Sequence, residues 1–93
     1  MALLTPEEIR ARLTALPDWH LAADGIRKTY SFPDFRKAIN FVNAVADIAE
    51  ARQHHPEIAI RYNKVTLTSL SHDVGQVTER DLELAEQLEQ IPL

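Results

Sequence analysis

The chain is predicted to be an α+β domain, a four-stranded antiparallel sheet with three helices on one face, in the order α-β-β-α-β-β-α. Three observations predict it. Three segments of helical apolar spacing each follow a start signal, two pairs of alternating segments lie between them, and each pair is joined by residues suited to a tight turn. Strands joined so closely pair antiparallel, and their solvent-averse face needs the helices as a cover.

Thr5, Pro6 and Glu8 supply an N-cap, a proline at the first helical position and a capping-box carboxylate. A helix starts there, Ile9, Leu13 and Leu16 form its apolar stripe, and Pro17 and Asp18 end it. Residues 19–22 and 26–32 then alternate as strands around Asp24-Gly25, a hairpin signal. Ile26, Tyr30 and Phe32 share one face, and Lys28, which interrupts it, is expected near an edge or exposed corner of the sheet. Pro33 and Asp34 open the longest periodic segment, with Phe35, Ala38, Val42, Val45 and Ala49 at helical spacing down to about Gln53. Ile39, Phe41, Ala46 and Ile48 widen its apolar surface, for which a partner subunit is the expected cover, with Phe41 and Val45 as contact positions. Pro56 disfavours helix at His55, so this helix should end with His54 and His55 in its last turn. Ile58, Ile60 and Tyr62 read as a strand, Asn63-Lys64 as a turn, and Val65, Leu67 and Ser69 as the returning strand. After a loop containing Gly75, Thr78 and Asp81 make a second capping box ahead of Leu82, Ala85, Leu88 and Ile91. Residues 1–93 are thus read as one domain without linker, repeat or low-complexity stretch, and its open sheet edge could be extended across a dimer.

At 93 residues and 45% hydrophobic content the chain supports one small core, which makes a homo-oligomer the expectation. A formal charge of −4 argues against a nucleic-acid footprint. The absence of cysteine removes disulfides, thiolate metal sites and cysteine nucleophiles. No apolar run approaches the roughly 20 residues that cross a bilayer, no signal pattern opens the chain, and the default compartment is the cytoplasm.

Chemistry must come from other side chains, and the histidines are the informative ones. His54, His55 and His72 occur at element ends rather than within apolar periodicity, whereas His20 looks like a surface position. In the last turn of a helix the negative end of the dipole favours protonated imidazole, and Glu50, four residues before His54, would face it. A plain C-terminal cap is the competing reading of the pair, and a polar loop residue that of His72. Glu50, His54 and His72 also form a ligand set for non-haem iron or zinc, although their spacing repeats no familiar zinc motif. Asp81 is read first as a capping residue that shapes a nearby site, and Trp19, Tyr30, Phe32, Phe35 and Phe41 as core or interface.

Glu50, His54-His55-Pro56, Tyr62-Asn63-Lys64-Val65, His72-Asp73 and Thr78-Glu79-Arg80-Asp81-Leu82 together resemble the signature of the pterin-4a-carbinolamine dehydratases, and the resemblance runs over about residues 19–91. It implies that family's four-stranded sheet with three helices. It also implies a hydro-lyase that removes water from 4a-hydroxytetrahydropterin to give quinonoid dihydropterin in tetrahydrobiopterin recycling, with no cofactor and no metal. On the matching positions His54 and His72 are the implied acid and base, with His55 the third catalytic histidine, positioning the pterin. Glu50, Pro56, Ser71, Asp73 and Val74 are implied to bind substrate alongside those histidines, and Asp81 to shape the site. The partners implied are the small-molecule pterin, further copies of the chain in a homodimer or homotetramer, and an aromatic amino-acid hydroxylase that generates the substrate. Some relatives also stabilise a dimeric transcription factor, which leaves a dimerisation module, or a pterin-binding protein without turnover, as the alternative. Two positions depart from the pattern: Ile58 stands where the family commonly has tryptophan, and Gln76 where it often has glycine.

Overall fold

In a computed structural model that describes residues 3–93, the elements follow the expected order. They are α1 (Pro6–Leu13), β1 (His20–Ala22), β2 (Gly25–Ser31), α2 (Phe35–Arg52), β3 (Glu57–Arg61), β4 (Lys64–Ser69) and α3 (Glu79–Leu88). All pairings are antiparallel, and the strands lie in the order β1-β2-β4-β3. The register explains the single core: Ile26 opposes Ser69, Lys28 opposes Leu67 and Tyr30 opposes Val65, so one face of the sheet collects the apolar side chains. Onto it pack Ile9 and Leu13 of α1, Ala38, Phe41 and Val45 of α2, and Leu82, Ala85 and Leu88 of α3. The opposite face carries Arg27, Thr29, Ser31 and Thr66 and is polar.

Both capping boxes form, at Thr5 with Glu8 and at Thr78 with Asp81, and Asp34 caps α2 through the Lys37 N–H. The two hairpin turns fall one residue earlier than the sequence suggests. Ala22 pairs with Gly25, so Ala23-Asp24 make the first turn, and Arg61 pairs with Lys64, so Tyr62-Asn63 make the second. Gly25 is required for another reason, since a Cβ there would strike the Ser69 carbonyl and φ is +138°. Tyr62 takes the positive φ of the second turn (53°), while the Asn63 amide donates to the Phe32 carbonyl at 2.8 Å and fastens the hairpin tip to the end of β2.

Lys28 does not sit at an exposed corner. It lies on the core face of an inner strand, 9% exposed, with its ammonium 2.8 Å from Glu89 Oε2 just past α3. The same oxygen accepts from Trp19 Nε1 (3.0 Å) and Tyr30 Oη (2.5 Å), so one carboxylate closes the end of α3 against β2 and the start of β1. Burial pushes the Glu89 carboxyl up, but the hydrogen bonds from Lys28, Tyr30 and Trp19 outweigh it and hold the group below its ordinary range. Tyr30 is pushed far above the usual phenol range by burial first and the Glu89 hydrogen bond second.

Helix α2 turns Ala38, Phe41, Val45 and Ala49 inward, while Phe35 is half exposed. Phe41 and Val45 therefore belong to this chain's own core rather than to a surface awaiting a partner, a consequence of the helix face being set by the Ala38-to-Ala49 row. Strand β3 is the contrast: all five of its residues are exposed, and Ile58 and Ile60 oppose Leu67 and Val65 on the helix side, where no helix covers them.

Candidate functional site

The site begins where α2 stops. Gln53 takes a left-handed conformation (φ 53°, ψ 39°), and the next N–H, of His54, reaches back to the Ala49 carbonyl at 3.1 Å, closing the helix in a Schellman-type turn. His54 and His55 thus lie beyond α2 and not in its last turn. The reversal cancels the four-residue relation with Glu50, whose carboxylate instead meets His55 Nε2 at 2.6 Å in solvent.

His54 turns inward and is held by α3. Its Nε2 lies 2.6 Å from Asp81 Oδ1, with the histidine side chain 10% and the aspartate 0% exposed. Asp81 also accepts from Ser69 Oγ (2.5 Å), Ser71 Oγ (2.9 Å) and the Thr78 N–H (2.8 Å). Alternation along β4 aims Ser69 at the helix layer, and the capping box turns the carboxylate back toward the sheet. Because Ser71 gives its proton to Asp81, Thr78 must donate to Ser71 across their 2.7 Å contact. A carboxylate so surrounded is acceptor only, so Nε2 of His54 carries a proton and Nδ1 is the nitrogen left for other work. Among the side-chain nitrogens and oxygens of the described residues Arg80 Nε alone is fully buried without a partner, so the unbonded His54 Nδ1 is not fully buried.

His72 stands on the turn after β4, where Ser71 and Gln76 form an isolated bridge and Gly75 has φ +69°. The glycine takes the left-handed position itself, so Gln76 is accommodated without strain. This turn brings His72 to the end of α2, as the sequence left open, and the two segments border an open surface cavity of about 420 Å³. Its walls include the three histidines and Asp73. Gln53, Leu70 and Arg80 complete it and were not anticipated. Two of these had a signal available: a cation in the first turn of α3 opposes the helix dipole, and a glutamine before His-His-Pro takes a helix-ending position that favours glycine. The Arg80 guanidinium, 2.7 Å from Asp73, holds that carboxyl below the carboxylate range and is itself raised by the same hydrogen bond.

Glu50, Pro56, Ser71 and Val74 do not line the cavity. Pro56 is buried, Val74 is exposed, and Ser71 spends its hydroxyl on Asp81 and its backbone groups on Gln76, Val74 and Gly75. Ile58, where the family commonly has tryptophan, lies on β3 and lines none of it. The ligand set Glu50, His54 and His72 is not assembled, since Glu50 pairs with His55 and His54 with Asp81; among the described residues no three His, Cys, Asp or Glu side chains converge as a metal site requires. No helix among the described residues is long and apolar enough to cross a membrane.

A family model described as pterin 4 alpha carbinolamine dehydratase matches residues 2–91. A protein of Acidobacterium capsulatum provisionally named pterin-4-alpha-carbinolamine dehydratase is 51% identical, over 96% of this chain and 97% of its own. A counterpart of the same provisional name from Sulfurisphaera tokodaii is 42% identical, over 98% of both chains. Among solved structures, the transcriptional coactivator/pterin dehydratase from Brucella melitensis superposes with a TM-score of 0.88 at 33% identity, over 95% of this chain and 96% of that one.

Proposed function

Because the chain belongs to the pterin 4 alpha carbinolamine dehydratase family and is a dehydratase, a hydro-lyase, we propose that it converts 4a-hydroxytetrahydropterin into quinonoid dihydropterin by imidazole acid and base catalysis in the cavity between α2 and α3. The observation that carries this reading is the convergence of His54, His55 and His72 on one concave wall, with His54 fixed by Asp81. In the reaction the C4a–O bond breaks, the hydroxyl leaves as water after taking a proton, and N5 gives up its proton as the C4a=N5 bond forms. One group must deliver a proton and another remove one, and imidazole, which titrates near neutrality, suits both tasks.

His54, with Nε2 committed to Asp81, works through Nδ1, and Asp81 stabilises the charge that appears when that nitrogen takes a proton. His72, on the same wall, makes no side-chain hydrogen bond among the described residues and is the complementary group. His55, steadied by Glu50, positions the ring. Asp73 and the partnerless N–H of Arg80 Nε face the polar pterin edge; a buried donor without an acceptor beside a cavity is what a bound carbonyl or ring nitrogen would satisfy. Ser71 acts through Asp81 rather than by touching substrate, and Pro56 and Val74 contribute only through the course of the backbone. The cavity volume falls in the range of small-molecule sites, roughly 300 to 1,000 Å³.

The physiological setting we assign is tetrahydrobiopterin recycling in the cytoplasm, downstream of an aromatic amino-acid hydroxylase. The assembly is at least a homodimer, supported by the uncovered edge and apolar residues of β3, and a homotetramer would use the remaining exposed surface of α2. Light scattering at micromolar concentration should return a multiple of 10.6 kDa; a monomer would remove the assembly.

The function is tested by following dehydration of freshly generated 4a-hydroxytetrahydropterin by ultraviolet absorbance. Wild type should accelerate it, and the folded His54→Ala, His72→Ala double variant should not. A wild-type rate equal to the uncatalysed one would leave a pterin-binding or dimerisation module; the solved Brucella melitensis relative is itself named a transcriptional coactivator as well as a pterin dehydratase.

A further inference from the structure

We propose that Gln53 is a substrate-recognition residue, whose side-chain amide reads the pyrimidine edge of the pterin while the histidines act on its other ring. The inference rests on the dehydratase reading for the identity of the ligand. It begins from a backbone outlier. Gln53 ends α2 in the left-handed region, where a residue with a Cβ is strained and glycine or asparagine is the usual occupant. Five residues of the described chain have positive φ, the two glycines and Asp18, Gln53 and Tyr62, and of these only Gln53 lies on the cavity wall, where the chain keeps a long amide. Strain held at a cavity is a pointer to function when something is gained from it.

What is gained is a fixed acceptor. Gln53 Nε2 donates to the Glu50 carbonyl at 2.8 Å, which pins the carboxamide against the helix end. Its Oε1 takes part in no hydrogen bond among the described residues, so an oriented lone-pair surface stands at the wall that also carries His54 and His55. The pyrimidine half of a pterin presents N3–H and the 2-amino group as neighbouring donors, and a carboxamide oxygen is a matching acceptor. Pinning one end of the amide lowers the ordering cost of the contact. A histidine pair placed directly after the amide then meets the pyrazine half of the same molecule, where C4a and N5 react.

The test is Gln53→Gly, compared with wild type and with Gln53→Asn, each measured for kcat, KM and thermal midpoint. If the residue served only to end the helix, glycine would improve the protein and leave KM unchanged. Recognition through the amide requires the two readouts to separate: the Gly variant should melt at the same or a higher temperature while KM rises by about three- to tenfold, the worth of one hydrogen bond, with kcat within about twofold. Asn, which tolerates the backbone but carries a shorter amide, should fall between the two. An unchanged KM in a folded Gly variant overturns the proposal. Should wild type fail to accelerate dehydration at all, the dehydratase reading falls separately, and fluorescence titration with 7,8-dihydropterin decides the amide's role. Weaker binding by the Gly variant then supports it, and equal binding overturns it.

Discussion

Asp81 is the residue on which the site's geometry depends, because its two oxygens hold His54, Ser69, Ser71 and the Thr78 N–H at once. In Asp81→Asn one oxygen becomes an NH₂ group, which faces donors whichever way the amide is turned. At least one buried donor pair is left unmatched, at a cost of about 1 to 3 kcal/mol, visible as a lowered melting temperature. His54 also loses the partner that fixes its protonated nitrogen, so kcat should fall by about a hundredfold or more in protein that is still folded. The chemistry of this residue was half legible in the sequence. Thr78 followed three residues later by Asp81 announced a capping box, but a box says nothing of what the second carboxylate oxygen faces, which depends on β4 delivering Ser69 and on α2 ending at Arg52, two residues before His54. The Glu50 pairing was misjudged for the same reason: helical spacing relates residues only as far as the helix runs, and the left-handed Gln53 hands Glu50 to His55.

Among elements, the helices were readable because each carries its own start signal in adjacent side chains, and their caps report on stability alone when they lie away from the cavity. Thr5→Ala removes the N-cap of α1, and should cost about 1 kcal/mol in thermal or urea unfolding while leaving dehydration unchanged. The strands were located correctly and their turns by one residue too late. Aspartate-glycine and asparagine-lysine are turn-like pairs, yet here the glycine answers to a neighbour across the sheet rather than to the turn. Gly25→Ala therefore tests packing between β2 and β4. With the Ser69 carbonyl in the way and an unfavourable φ, it should destabilise by about 2 kcal/mol or more, and because Ser69 holds Asp81 it should lower activity as well. No local pattern could place Lys28, since its partner Glu89 is 61 residues away and meets it only when α3 lies across β2.

Over the whole molecule, the Glu89 cluster sets limits on the pH range of stability. Its carboxyl is depressed in the folded state, so its contribution is complete above the unfolded value near 4.5 and is lost as pH falls through the lower folded value. Tyr30 works in the opposite direction: the fold keeps its proton, so its contribution is complete below the unfolded value of 10.0 and is lost as pH rises beyond it. Urea midpoints across pH should show a plateau between these limits, and Glu89→Gln should flatten the acid shoulder. The cluster also contains the chain's single tryptophan, 5% exposed and bonded through its indole N–H to that carboxylate. Tryptophan emission from this protein is therefore a local signal, from one chromophore beside one charge. Titration with acid should shift it as Glu89 takes a proton, before the backbone signal in circular dichroism is lost, so the spectrum records the loosening of the end of α3 as an event separate from global unfolding.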